Sequence, residues 1–151
     1  MTTVHVVLGV AALATNAAAA GWGGWLWWRA EAQPAFWPLL RTGQALLVVV
    51  ALLGGLLLAF DRQPAPLHVL YGLLPVVVSF LGEQFRLVSA EAVLERHDLE
   101  AARDMESLPE PEQRLIVLEI VRRETGIMAA SAAVATLLGL RAAGVSGALP
   151  I

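Results

Sequence analysis

Two stretches without a formal charge, Thr42 to Phe60 and Gln63 to Gly82, are separated only by Asp61 and Arg62. A helix rises about 1.5 Å per residue, so each run comes close to crossing a hydrocarbon core about 30 Å thick. A chain that folds in water buries such runs inside a far larger polar body. Here 58% of 151 residues are hydrophobic, 15% are charged, and the mean hydropathy is +0.68. Soluble domains are closer to one-quarter charged, so the sequence reads as an integral membrane protein of one compact bundle.

The order of segments gives the expected architecture. Val4 to Trp28 is free of formal charge and long enough to span, and MTTVHVV lacks the basic start of a secretory signal. The sequence predicts an all-α, up-down four-helix transmembrane bundle with spans at 4–28, 42–60, 66–85 and 125–141. Residues 86–124 hold ten acidic residues and six arginines and contain no run that could span. They predict an amphipathic extension of helices 3 and 4, a cytoplasmic helical hairpin. In it Leu87, Ala90, Leu94, Ala101, Met105 and Leu108 recur near helical spacing. Ser107 and Glu110 fit a capping box before helix 4.

Faces follow from spacing. His5, Gly9, Ala12, Asn16, Ala20 and Gly23 share one side of helix 1, and small residues there let a neighbouring backbone approach. On helix 2 the smaller, more polar stripe is Gln44, Val48, Ala51 and Gly55. On helix 3 it is His68, Gly72, Pro75, Ser79 and Gly82 or Glu83, with Pro75 expected to kink the helix. All five tryptophans fall between Trp22 and Trp37, flanked by Arg29 and Arg41, as in an interfacial belt. Eight arginines lie on the side of the 1–2 and 3–4 connections, against Arg62 and Arg141 on the other. This predicts both termini outside a cell membrane and the hairpin in the cytoplasm.

The absence of cysteine removes disulfides, thiolate metal sites and thiol redox chemistry. A net charge of −3 leaves no nucleic-acid footprint. GVSG near the C-terminus lacks the GxSxG spacing of a nucleophile elbow, and no hydrolase or kinase set is complete. Glu83 and Gln84 end helix 3, where a carboxylate either relays protons or faces water. His97, in charged surroundings, reads as solvated.

Two histidines carry the chemistry. His5 opens helix 1 and His68 opens helix 3, so alternating direction brings both to the outer side at similar depth. In an up-down bundle these helices are diagonal, and two facing imidazoles can ligate a haem iron from both faces. Asn16, about three turns below His5, then falls near a porphyrin edge. Tyr71 could stack on haem or donate to a quinone, and Arg62 could pair with propionates. A neutral imidazole buried in lipid without a partner costs about 1–3 kcal/mol, although at a helix end water or headgroups could satisfy it. Only two imidazoles and Asp61 are at hand, short of the four ligands of structural zinc.

A histidine opening the first helix, Gln44 with Gly54-Gly55 on the second, and LHVLYG opening the third resemble one four-helix half of a haem A synthase. The resemblance covers residues 5 to 85. It implies haem-ligand roles for His5 and His68 in such a half-bundle. The chain is half the family's length and has no acidic residue near His5, which argues against the haem-modifying reaction itself. The expectation is a small membrane protein binding haem b, for electron transfer, quinone contact or haem handling. The alternative is a non-catalytic accessory or scaffold subunit of a larger membrane complex or a homo-oligomer. A transporter is disfavoured by the near absence of charge in the spans and of an internal repeat.

Overall fold

A computed structural model of the chain describes residues 2–60 and 65–146, and within them the fold is all-helical. The helices are α1 (Thr2–Arg29), α2 (Phe36–Ala59), α3 (Pro66–Arg96) and α4 (Glu110–Val145), with a short 3₁₀ segment at Ala102–Ser107. Each of the four is long and apolar enough to cross a membrane. Their outward faces carry large apolar side chains, among them Leu52, Phe80 and Leu137, each more than 60% exposed. An apolar surface of this extent suits lipid as its solvent.

Contacts between the helices run antiparallel. His5 lies against Gly54, Asn16 against Gly43 and Gly23 against Phe36, which aligns α1 with α2. Leu13 meets Gly139 and Trp27 meets Gly126, which aligns α1 with α4. His68 reaches Ala142 and Arg86 reaches Glu124, which aligns α3 with α4. Those three pairs pack along their length, whereas α2 and α3 touch little.

Small residues set these approaches. A Cβ on Gly23 would sit 2.5 Å from the Phe36 ring and 2.9 Å from Ala129 Cβ. Only glycine lets α1, α2 and α4 converge there. Around it lies a core of Ala19, Leu26, Phe36, Leu40, Met128 and Ala132, and a second layer holds Ala12, Leu47 and Ala135. The face expected on α1 is thus the buried one, since Ala12, Asn16, Ala19, Gly23 and Leu26 are its buried residues.

Helix ends explain several departures from the sequence reading. Ala30 has φ 54° and Glu31 N–H donates to the Leu26 carbonyl at 3.0 Å, a Schellman ending for α1. The same device ends α3. Asp98 has φ 57°, and Leu99 N–H donates to the Leu94 carbonyl at 3.0 Å. The amphipathic continuation expected through Leu108 therefore stops at Arg96, because Asp tolerates the left-handed conformation. Leu99 then folds back with Val93 and Ile116 into a small third core.

The capping box expected from Ser107 and Glu110 does not form. Ser107 Oγ donates to the Asp104 carbonyl at 2.7 Å, and the residue before α4 is Pro109. Asp104 instead accepts from the Ala101 N–H at 2.8 Å. On α2 the stripe expected at Gln44, Val48, Ala51 and Gly55 gives way to Phe36, Leu40, Gly43 and Leu47 as the buried residues. The reason is packing: Gly43 receives the Asn16 side chain of α1 while Phe36 seats on Gly23, and the two contacts fix the rotation of α2. The helix also starts at Phe36, ahead of the expected Thr42.

Candidate functional site

One end of the structure contains a cavity of about 910 Å³ with mostly apolar walls, reached by all four helices. α1 contributes His5 and Gly9, α2 Gly54 and Gly55, α3 His68 and Gly72, and α4 Ala142, with Ser146 just past its end. The volume lies in the range of small-molecule and cofactor sites. A Cβ on Gly9, Gly55 or Gly72 would meet no atom within 4 Å. The glycines on these walls therefore leave flat backbone facing open space.

The two expected histidines meet here. Their ring centroids are 6.2 Å apart and the ring planes cross at 65°. His68 Nδ1 lies 3.0 Å from the Ala142 carbonyl oxygen, which can only accept, so Nδ1 carries the proton and Nε2 is left with its lone pair. A backbone carbonyl fixing the tautomer in this way is the usual second support of a metal-ligating histidine. The Ala142 carbonyl, in the last turn of α4, also accepts from the Ser146 N–H at 3.2 Å, so His68 takes its second lone pair. His5 leans on α2, its Cε1 3.3 Å from where a Gly54 side chain would begin. Its Nδ1 is buried and has no hydrogen-bond partner. A buried nitrogen without a partner is unfavourable.

The other residues singled out by sequence are placed elsewhere. Asn16 is 1% exposed and does not line the cavity. Its Nδ2 donates to the Ala12 carbonyl at 2.8 Å and its amide lies flat against Gly43, in the layer below. Helical angle alone put it beneath His5, but the cavity ends above it. Tyr71, half-buried on α3, is also off the cavity wall. Arg62 and Asp61 lie outside the described residues.

A second polar cluster, at the opposite end, was not apparent from sequence as a unit. Glu83 on α3 accepts from Arg41 on α2 through both carboxylate oxygens, the Nη2–Oε2 bond measuring 3.1 Å. Gln44 Nε2 donates to it at 3.1 Å. Arg86 pairs with Glu83 at 3.3 Å and with Glu124 on α4 at 3.6 Å, and its guanidinium lies 5.2 Å from the Trp37 ring centroid. Two arginines and two carboxylates balance, so the cluster joins α2, α3 and α4 without net charge. The available signal was Gln44 and Glu83 at the ends of otherwise apolar runs.

Among the described residues no group of three or more His, Cys, Asp or Glu converges as metal ligands. No protein-family model, curated protein or solved structure matches the chain.

Proposed function

We propose that this chain is a small multi-pass membrane protein that binds one b-type haem, with His5 and His68 as the axial ligands. The observation that carries the reading is the histidine pair across the cavity. Two iron–nitrogen bonds of about 2 Å separate ligating nitrogens by roughly 4 Å, and ring centres lie roughly 2 Å further apart. The 6.2 Å between centroids agrees with that requirement. The tautomer imposed on His68 by Ala142 and the bare glycine walls fit the same group. When bound, haem would supply one-electron redox chemistry, suited to electron transfer, quinone contact or haem handling. The protein's part is to hold the imidazoles, exclude water with apolar walls and orient the His68 ring through its Nδ1 bond to Ala142.

In this reading the four helices form an up-down bundle with the cavity near the outer surface and both termini outside. The charged continuation of α3 and α4 lies in the cytoplasm. The eight-to-two distribution of arginine supports that orientation. The test is an absorption spectrum of detergent-purified protein, oxidised and then reduced with dithionite. A Soret band with α and β bands is expected, lost in His5→Ala and in His68→Ala. A colourless parent, expressed with ample haem, overturns the proposal.

A second reading, an accessory subunit of a larger assembly, draws on a different surface. Ala14, Ala17, Ala18 and Gly21 face outward on α1, where another helix could approach closely. Light scattering of the purified protein separates a monomer from a homo-oligomer.

A further inference from the structure

We propose that Arg122 and Trp27 form a binding site for the phosphate of an anionic phospholipid headgroup. Arg29, Arg41, Arg86 and Arg123 lie near the same end of the bundle, and each faces a carboxylate. Arg122 has none within ion-pairing distance among the described residues. It is nevertheless fixed, because its Nε–H donates to the Trp27 carbonyl at 3.1 Å, in the last turn of α1. That bond uses the inner edge of the guanidinium and leaves the two terminal nitrogens without an acceptor among the described residues.

The neighbourhood selects the ligand. Trp27 is seated on Gly126, where a Cβ would lie 2.6 Å from its ring, so α1 and α4 hold the indole beside the arginine. Trp25 and Trp28 are more than half exposed on the same helix end. Indole rings settle at headgroup depth, which places the free guanidinium edge at the level of lipid phosphates. A guanidinium fork matches two phosphate oxygens, whereas a zwitterionic headgroup offers the phosphate with a compensating cation. The nearby Glu31 is paired with Arg29 and does not answer Arg122.

Because every tryptophan lies on this end, quenching by brominated acyl chains reports lipid at this end specifically. The parent, reconstituted in phosphatidylcholine vesicles, would be titrated with brominated phosphatidylglycerol or with equally brominated phosphatidylcholine. A preference for phosphatidylglycerol is expected, reduced about fivefold in R122Q, the share expected of one arginine near a charged surface. R122K should fall between them, keeping the charge without the fork. R141Q, about 28 Å along α4, should match the parent. Inorganic phosphate at matched ionic strength tests a free-ion site, and complete displacement of the lipid preference by millimolar phosphate would overturn a headgroup assignment. Equal preferences in the parent, R122Q and R141Q would overturn the site.

Discussion

Replacing Gly43 by alanine tests a tight contact between α1 and α2 just below the cavity. The added Cβ would stand 2.8 Å from Asn16 Nδ2, 3.0 Å from its Cγ and 3.1 Å from its Oδ1, against ordinary contacts of 3.4 Å or more. Asn16 cannot swing aside easily. It is 1% exposed, tied to the Ala12 carbonyl at 2.8 Å, and Ala12 itself packs with Leu47 and Ala135. Overpacking of this kind costs about 1–3 kcal/mol, and straining the Asn16 bond adds about 1 kcal/mol. The better helix propensity of alanine offsets up to about 1 kcal/mol. The expected net loss is about 2 kcal/mol, roughly thirtyfold in the folding equilibrium. Reversible unfolding in mixed micelles, followed by circular dichroism, measures it. Asn16→Ala in the same background should recover more than half of the loss, since the methyl group at 16 clears the new side chain. Gly21→Ala, where a Cβ meets nothing, serves as the control and should not destabilise. If Gly43→Ala is as stable as Gly21→Ala, the packing of α1 on α2 differs from that described.

Four further outcomes follow from other contacts. Glu83→Gln should destabilise by about 1–3 kcal/mol in the same unfolding assay, because Arg41 and Arg86 lose their shared anion while half-buried; an unchanged midpoint would show that the cluster is only a surface arrangement. Ala30→Gly should stabilise by about 1 kcal/mol, because alanine is strained at φ 54° and glycine is not. Gly72→Leu should leave the unfolding midpoint near that of the parent while abolishing the proposed haem spectrum, since its side chain has open space to enter only within the cavity. The carboxyl of Glu119 is held below the ordinary range, first by its hydrogen bond to His97 and then by Arg96 and Arg123. A depressed folded value means that this contact's stabilisation is complete above the unfolded value of about 4.3 and is lost as pH falls through the lower one. Hydrogen exchange at residues 93–120 should therefore loosen below about pH 4 in the parent and be insensitive to pH there, after correction for intrinsic rates, in Glu119→Gln.

Much of the fold was legible because lipid imposes a severe rule on sequence. Charge-free runs marked the helices, the fourth only with Arg123 and Arg141 reaching outward from its ends, and alternating direction brought His5 and His68 to one end. The buried face of α1 was legible because small residues recur there at helical spacing. The rotation of α2 was not, since between apolar helices polarity does not say which side is inside. Leu40, Gly43 and Leu47 are buried because Gly43 admits the side chain of Asn16, a match that exists only once both helices are present. The end of α3 was missed for a local reason: the positive φ of Asp98 outweighs an apolar period that continues through Met105 and Leu108. The cluster around Glu83 draws on three helices, so no spacing within one segment announces it.

The pair formed by α3 and α4 has a mechanical consequence. At one end His68 is fastened to the Ala142 carbonyl, and at the other Arg96 and His97 are fastened to Glu119. Between these fastenings two long rods lie side by side, with Arg86 bolted to Glu124 partway along. Such a frame resists sliding of one rod past the other, since all three joints would have to part together. His68 adds a polar joint at the end where α3 and α4 otherwise meet through apolar and small side chains. A ligand taken up at His68 Nε2 leaves the Nδ1 joint closed, so it is carried by a rigid frame.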